Sequence, residues 1–282
     1  MADEAGSLKR ALYRHAYLGR LRGNGERRSG EGEPDLFDRL VTPAEHEDWD
    51  GRDAHFPGEG RILRNYLEWT FERVHQQGKV PVSADGRFSA FNTGLATGRQ
   101  ESIYGLFEQN HHVGREPWFF HGWRVESARE VLERFAEPPD FATYTDDPAD
   151  YYYDWRRELK VNVRHVVEDD VDRFPETLRA DGYGLELRLQ TAVDQARNRV
   201  RRNYKAAVPM WYPAADEVQL LLPLSLTDPE TVDLALVVSK IGEHYRGSTV
   251  LTMGMAYSNA RLLARPDGDW LSPHGPHRPD PG

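Results

Sequence analysis

Cysteine is absent from the 282 residues of this chain. Disulfides, thiolate zinc sites, iron–sulfur clusters and cysteine nucleophiles are thereby excluded, and any metal would have to be held by His, Asp or Glu. Long apolar runs are missing as well. Nowhere do about 18 apolar residues follow one another, as a membrane span requires, and the first thirty residues are polar and Arg-rich, without an apolar stretch of signal-peptide type. The expectation is a soluble protein in the cytoplasm with no membrane partner. Positive charge is in short supply: 36 Lys and Arg against 46 Asp and Glu give a formal net charge of −10. A protein coating nucleic acid with its whole surface would need the opposite balance, because neutralising phosphates supplies most such affinity. A local basic patch is still compatible with that charge. Also absent are the phosphate-binding Gly-rich loop ending in Lys and Ser or Thr, the dinucleotide Gly fingerprint, the Gly-x-Ser-x-Gly elbow and the His-Glu-x-x-His helix.

What is present suffices for a core: 39% hydrophobic residues, 11% of the chain aromatic. The length favours one globular domain over residues 36–271. It is flanked by a Gly-, Arg- and Glu-rich segment over residues 1–35, mobile by composition apart from a hint of helix at Leu8 to Leu21. A Pro-rich tail, residues 272–282, can hold neither helix nor strand; its His274 and His277 read as solvated tail rather than ligands.

Arg61 to Gln77 reads as an amphipathic helix, with Ile62, Tyr66, Trp69 and Val74 near one face and Gly78 at its stop. Arg87 to Leu95, Ser102 to Phe107 and Trp118 to Val125 read as strands between turns. A short helix is expected from Ser127 to Phe135, with Ser127 as N-cap. Leu159 to Val167 alternates as a strand would. From Leu185 to about Lys205 the apolar residues Leu189, Ala192, Val193, Ala196, Val200 and Tyr204 recur at three- and four-residue spacing, which predicts a long helix closed by Pro209. Val218 to Leu224, Leu234 to Val238 and Thr249 to Met255 read as central strands. The fold class is therefore α+β, a mixed or antiparallel sheet with a long helix packed on it.

Chemistry concentrates in four places. The long helix carries Arg197, Arg201 and Lys205 on one stripe, either a solvated face favoured by the helix dipole or a phosphate-facing wall. Directly after it, Asn203-Tyr204-Lys205 and Val208-Pro209-Met210-Trp211-Tyr212 interleave aromatics with a cation, as base stacking beside a phosphate requires and as a helix end built into a core also would. Toward the C-terminus, Thr252, Tyr257, Asn259 and Arg261 form either a self-satisfied buried network or the lining of a ligand pocket. In the N-terminal half, Asn92 and Thr93 precede Gly94 in what is a turn or part of that pocket. Histidine and carboxylate come together only at Asn110-His111-His112 and at His165 with Glu168, Asp169 and Asp170. His165 or His111 is thus the candidate general base or metal ligand, with Asp154, Asp169 or Asp170 as carboxylate partner. No residue set is assigned to a metal, and the sequence does not identify a cofactor.

Four blocks stand in order along the chain: Ile62-Leu63-Arg64-Asn65-Tyr66-Leu67 with Thr70-Phe71-Glu72-Arg73; Phe91-Asn92-Thr93-Gly94-Leu95; Asn203-Tyr204-Lys205-Ala206-Ala207-Val208-Pro209; and Met255-Ala256-Tyr257-Ser258-Asn259-Ala260-Arg261-Leu262 with Asp269-Trp270-Leu271. Their order and spacing resemble the bacterial domain of unknown function numbered 3825, a family found beside OST-HTH (LOTUS) and cold-shock domains. The resemblance implies a role linked to RNA by association, and no particular reaction. Two expectations follow. One is an RNA- or nucleotide-binding protein of RNA metabolism or stress response, with room for a protein partner. The other is a metal- or His-dependent phosphodiesterase or nucleotide-processing enzyme, with Arg261 or Lys205 stabilising transition-state charge.

Overall fold

The computed structural model describes residues 11–19, 36–112, 114–266, 270 and 271. The readings of residues 1–10 and 20–35, of Asp269, and of the tail with His274 and His277 lie outside the described residues. In chain order the elements are α1 (Ala11–His15), β1 (Ala16–Tyr17), α2 (Leu36–Val41), β2 (Gly51–Asp53), β3 (Phe56–Gly58), α3 (Arg61–Gln76), β4 (Phe88–Ala96), β5 (Ser102–Gln109), β6 (Trp118–Val125) and α4 (Arg129–Arg134). There follow β7 (Glu158–Val161), α5 (Val163–Asp170), α6 (Gly182–Arg202), β8 (Val208–Tyr212), β9 (Glu217–Leu224), β10 (Leu234–Ile241), β11 (His244–Thr252) and α7 (Met253–Ala260). The fold is α+β with mixed sheets. Where the sequence reading groups residues 36–271 as one domain, the backbone forms two compact units: residues 1–49 with 58–143, and residues 50–57 with 144–282.

In the first unit, β4, β5 and β6 form an antiparallel meander to which the two residues of β1 add in parallel. The apolar face of α3 supplies Phe71 and Val74 to a cluster with Phe91, Phe107, Ala11 and Leu12, so α1 and α3 are bound to the sheet by aromatic packing. Gly78 takes positive φ and its N–H returns to His75 O at 3.1 Å, the stop that the sequence announces. The short helix α4 starts at Arg129 with no side-chain cap. Glu130 instead receives a two-pronged bond from Arg124, at 2.6 and 3.0 Å, so its carboxylate is engaged across β6 rather than in the capping box expected with Ser127.

In the second unit the sheet order is β7-β11-β10-β9-β8, antiparallel except for β7 beside β11. Alternation along β9 and β10 turns Leu220, Leu222, Leu224, Leu236 and Val238 to the face covered by α6. They meet Leu185, Leu189, Ala192, Val193, Ala196 and Val200 there. Full burial of each such side chain contributes roughly 1.5–3 kcal/mol, which fixes the long helix on the sheet as its periodicity predicts.

Three boundaries differ from the sequence reading. The alternating stretch 159–167 breaks after β7, because the Asn162 side chain accepts from His165 N–H and starts α5. Helix α6 ends at Arg202 rather than near Lys205: Asn203 Oδ1 accepts from Lys205 N–H at 3.1 Å and bends residues 204–206 into a 3-10 turn. Pro209 therefore closes nothing; it sits in β8, an edge strand where a missing N–H is tolerated. Finally, β11 ends at Thr252 and Met253–Ala260 is helical. That helix is buried on nearly every side, so its residues carry no polar stripe from which a 3.6-residue period could be read.

Candidate nucleic-acid interface

The most exposed aromatics near the end of α6 arise from two short segments lying side by side in the second unit. One is Tyr151-Tyr152-Tyr153-Asp154-Trp155; the other runs from Arg201 to Lys205. The first segment is anchored through its middle residue. Tyr153 is buried and stacked on Tyr245, with ring centroids 4.5 Å apart and planes 19° apart. Tyr245 Oη accepts the Asp154 N–H at 3.0 Å. Burial pushes the Tyr153 phenol up to about 12, so it stays neutral within the core. With Tyr153 held inward, its neighbours Tyr152 and Trp155 are turned out, 58% and 48% exposed.

The second segment is held equally firmly. Ala206 and Ala207 belong to the core under α6, and Trp270 Nε1 donates to Ala206 O at 3.0 Å. The cap at Asn203 then leaves the Tyr204 ring 63% exposed. The two segments touch at two rungs. Tyr152 and Tyr204 lie 6.2 Å apart at a 45° tilt, and the Arg201 guanidinium stands 4.7 Å from the centre of the Trp155 ring, a cation–π contact. Neighbouring acids are engaged elsewhere: Asp154 binds Arg156 at 2.8 Å, Asp150 binds Lys240 at 3.3 Å, and hydrogen bonds from Arg156 hold the Asp154 carboxyl below the usual carboxylate range.

Beside these rungs opens a cleft of about 240 Å³. Tyr151, Tyr152 and Tyr204 form one wall, Val208, Pro209 and Leu263 contribute to an aliphatic floor, and Lys205 and Arg265 stand at it; among the described residues no carboxylate lines it. Burial, followed by the Asp150 carboxylate, pushes the Tyr151 phenol up, and the charged side chains lining the cleft among the described residues are those of Lys205 and Arg265. An aromatic wall, an aliphatic floor and two cations are matched by a planar ring bearing an anionic group. A second groove, about 360 Å³ between α6 and residues 225–229, has no aromatic lining, and its one cation, Arg188, donates to Leu226 O at 3.4 Å.

Among known families, the one described as domain of unknown function (DUF3825) matches residues 40–270. The chain belongs to DUF3825. No curated protein and no solved structure matches it. The DUF3825 region takes in both segments of the interface and the cleft between them.

The residues singled out in the sequence fall into distinct settings. Tyr204 and Lys205 line the cleft, and Arg201 and Asn203 are exposed on the same segment. Arg197, one turn before Arg201, is exposed and 3.8 Å from Asp194. Thr252, Tyr257, Asn259 and Arg261 do not line the cleft. Helical geometry puts Tyr257 and Arg261 on one face and turns Asn259 away from it, while Thr252 Oγ1 is buried without a partner among the described residues. In the first unit, Asn92 and Thr93 are buried and spend their polar atoms on the chain itself. Asn92 Nδ2 donates to Pro139 O at 3.2 Å and its Oδ1 accepts from Gly94 N–H at 2.9 Å; Thr93 Oγ1 donates to Ile103 O at 2.7 Å.

Of the histidine–carboxylate pairs, His165 and Asp169 do meet, 3.2 Å apart across one turn of α5, with both side chains about 60% exposed. Neither lines either cleft. Asp170 is structural: it accepts from Val250 N–H at 3.0 Å and from Thr249 Oγ1, and pairs with Arg173 at 2.8 Å. His111 is exposed in the connection between β5 and β6, and no group of three or more His, Asp or Glu suited to a metal occurs among the described residues. Sequence reasoning passed over Tyr152, Trp155 and Arg265. The run of four aromatics over 151–155 was their one visible signal, and the facing segment lies some fifty residues away.

Proposed function

We propose that this protein binds RNA or nucleotides through the cleft and rungs of its second unit, with Tyr152 and Tyr204 stacking on a base and Lys205, Arg265 and Arg201 neutralising phosphate. The observation that carries this reading is the pair of solvent-facing tyrosines at a cleft lined by two cations and, among the described residues, no carboxylate. Large aromatic faces left in water favour a flat partner, and base–aromatic stacking contributes about 1–3 kcal/mol per base. The overall charge of −10 confines such binding to this patch. Arginine at 201 adds a planar cation that stacks and neutralises at once.

Titration of the full chain with fluorescein-labelled hexa-adenylate RNA at increasing salt tests the proposal. Three phosphate contacts on a single strand give a log–log salt slope of about −2. Tyr204→Ala is expected to weaken binding by roughly fivefold to a hundredfold. Salt-insensitive binding, or a Tyr204→Ala variant that binds like the parent, refutes the reading. No observation of comparable strength favours a phosphodiesterase: the His165–Asp169 pair is exposed and lines neither of the two clefts described above.

A further inference from the structure

Resting on the reading just given, the geometry points to an unpaired RNA segment of about three or four nucleotides as the ligand of this site, rather than a free mononucleotide or a duplex, with Trp155 as a second stacking platform outside the cleft. Trp155 does not line the cleft, nor does Arg201. Yet both stand beside it, joined to it through the residues that supply its aromatic wall: Trp155 follows Tyr152 by three positions and Arg201 precedes Tyr204 by three. The cleft therefore accounts for one base and leaves outside it the half-exposed Trp155 indole with Arg201 over its ring.

That surface is built as a platform. The indole is 48% exposed, and Arg201 lies over its ring at 4.7 Å. A base stacking on the indole would bring its phosphate close to the guanidinium. The platform is also fixed in place, since Tyr153 on Tyr245 and the Asp154 N–H to Tyr245 Oη pin the segment between the two exposed rings. A rigid aromatic loses little freedom on binding. Three residues span at most about 11 Å, and consecutive stacked bases in one strand are about 3.4 Å apart. A strand of three or four nucleotides therefore reaches from the Tyr152–Tyr204 rung to Trp155. A duplex does not suit, because its base faces are covered by each other and only unpaired bases can be splayed onto aromatic side chains.

Calorimetric titration of the full chain with adenosine 5′-monophosphate, unlabelled tetra-adenylate RNA and a blunt RNA hairpin tests this. Tetra-adenylate is expected to bind at least about tenfold more tightly than the monophosphate, and the hairpin to bind more weakly than either. Trp155→Leu should bring tetra-adenylate to within about threefold of the monophosphate, and Trp155→Phe should restore most of the difference. Tyr204→Ala should weaken both ligands. Equal affinity for monophosphate and tetramer, a Trp155→Leu variant that keeps the length dependence, or a hairpin that binds as well as the tetramer overturns this inference and leaves nucleotide binding standing. Absence of binding to all three probes, or indifference to Tyr204→Ala, removes the parent reading and this one with it.

Discussion

His15, at the end of α1, has a testable consequence for stability. Its ring lies among Phe107 at 4.9 Å, Phe71 at 5.0 Å and Trp118 at 5.9 Å between centroids, and Nε2 is buried without a hydrogen-bond partner among the described residues. Burial, with a smaller contribution from His75 nearby, lowers its pKa from 6.5 to about 4. Between those two values the unfolded chain binds a proton that the folded chain refuses, so the contribution of His15 is fully present above pH 6.5 and is lost as the pH falls toward 4. At pH 4.5 the loss is ~2.5 kcal/mol, and it approaches ~3.4 kcal/mol below the folded pKa. His15→Phe keeps the aromatic packing and removes the titration. Urea unfolding of parent and variant at pH 7.5, 6, 5 and 4.5 should give a stability difference that moves in favour of the variant by ~2.5 kcal/mol across the series. Other carboxylates titrate equally in both proteins and cancel. A difference that stays within about 0.5 kcal/mol over the whole range would show that His15 takes up its proton in the folded state at an ordinary pKa, and the account of its burial would fail.

Three further substitutions separate structural from functional roles. Gly94 has a φ of +71°, and a Cβ there would fall 2.5 Å from Tyr66 Oη; Gly94→Ala should lower stability by at least about 1–2 kcal/mol, seen as a lower denaturation midpoint, and a neutral result would contradict the geometry of that turn. Asp170→Ala leaves Arg173 without its buried carboxylate and should cost about 3–5 kcal/mol, while Asp169→Ala, on the open face of α5, should leave stability within about 0.5 kcal/mol of the parent. Thermal unfolding distinguishes the two, and a harmless Asp170→Ala would reopen a catalytic role for that residue.

Tyr204 and Lys205 were legible as candidates because a cation beside an aromatic at a helix end is a local pattern, and both line the cleft. Their partners were not. Tyr152 and Trp155 are turned outward because Tyr153 packs inward onto Tyr245, more than ninety residues further on, and no local pattern announces which of three consecutive tyrosines is the anchor. Thr252, Tyr257, Asn259 and Arg261 read as either a self-satisfied buried network or a pocket lining, and the helix at Met253–Ala260 separates the directions of its members. Asn92 and Thr93 read as either a turn or part of that pocket, and in the structure their buried side chains bond to the backbone.

By itself the sequence determined the α+β class, the helices at Arg61–Gln76 and Gly182–Arg202, and most strands of both sheets, since each of these rests on a periodicity of 3.6 or 2 that a one-sided core imposes on neighbouring residues. Tertiary structure decided the helix at the chain's buried C-terminal block, the division into two compact units, and the convergence of residues 151–155 with 201–205 into one aromatic and cationic face. Those outcomes depend on contacts between residues far apart in the chain, and burial on every side erases the polar stripe that would otherwise mark them.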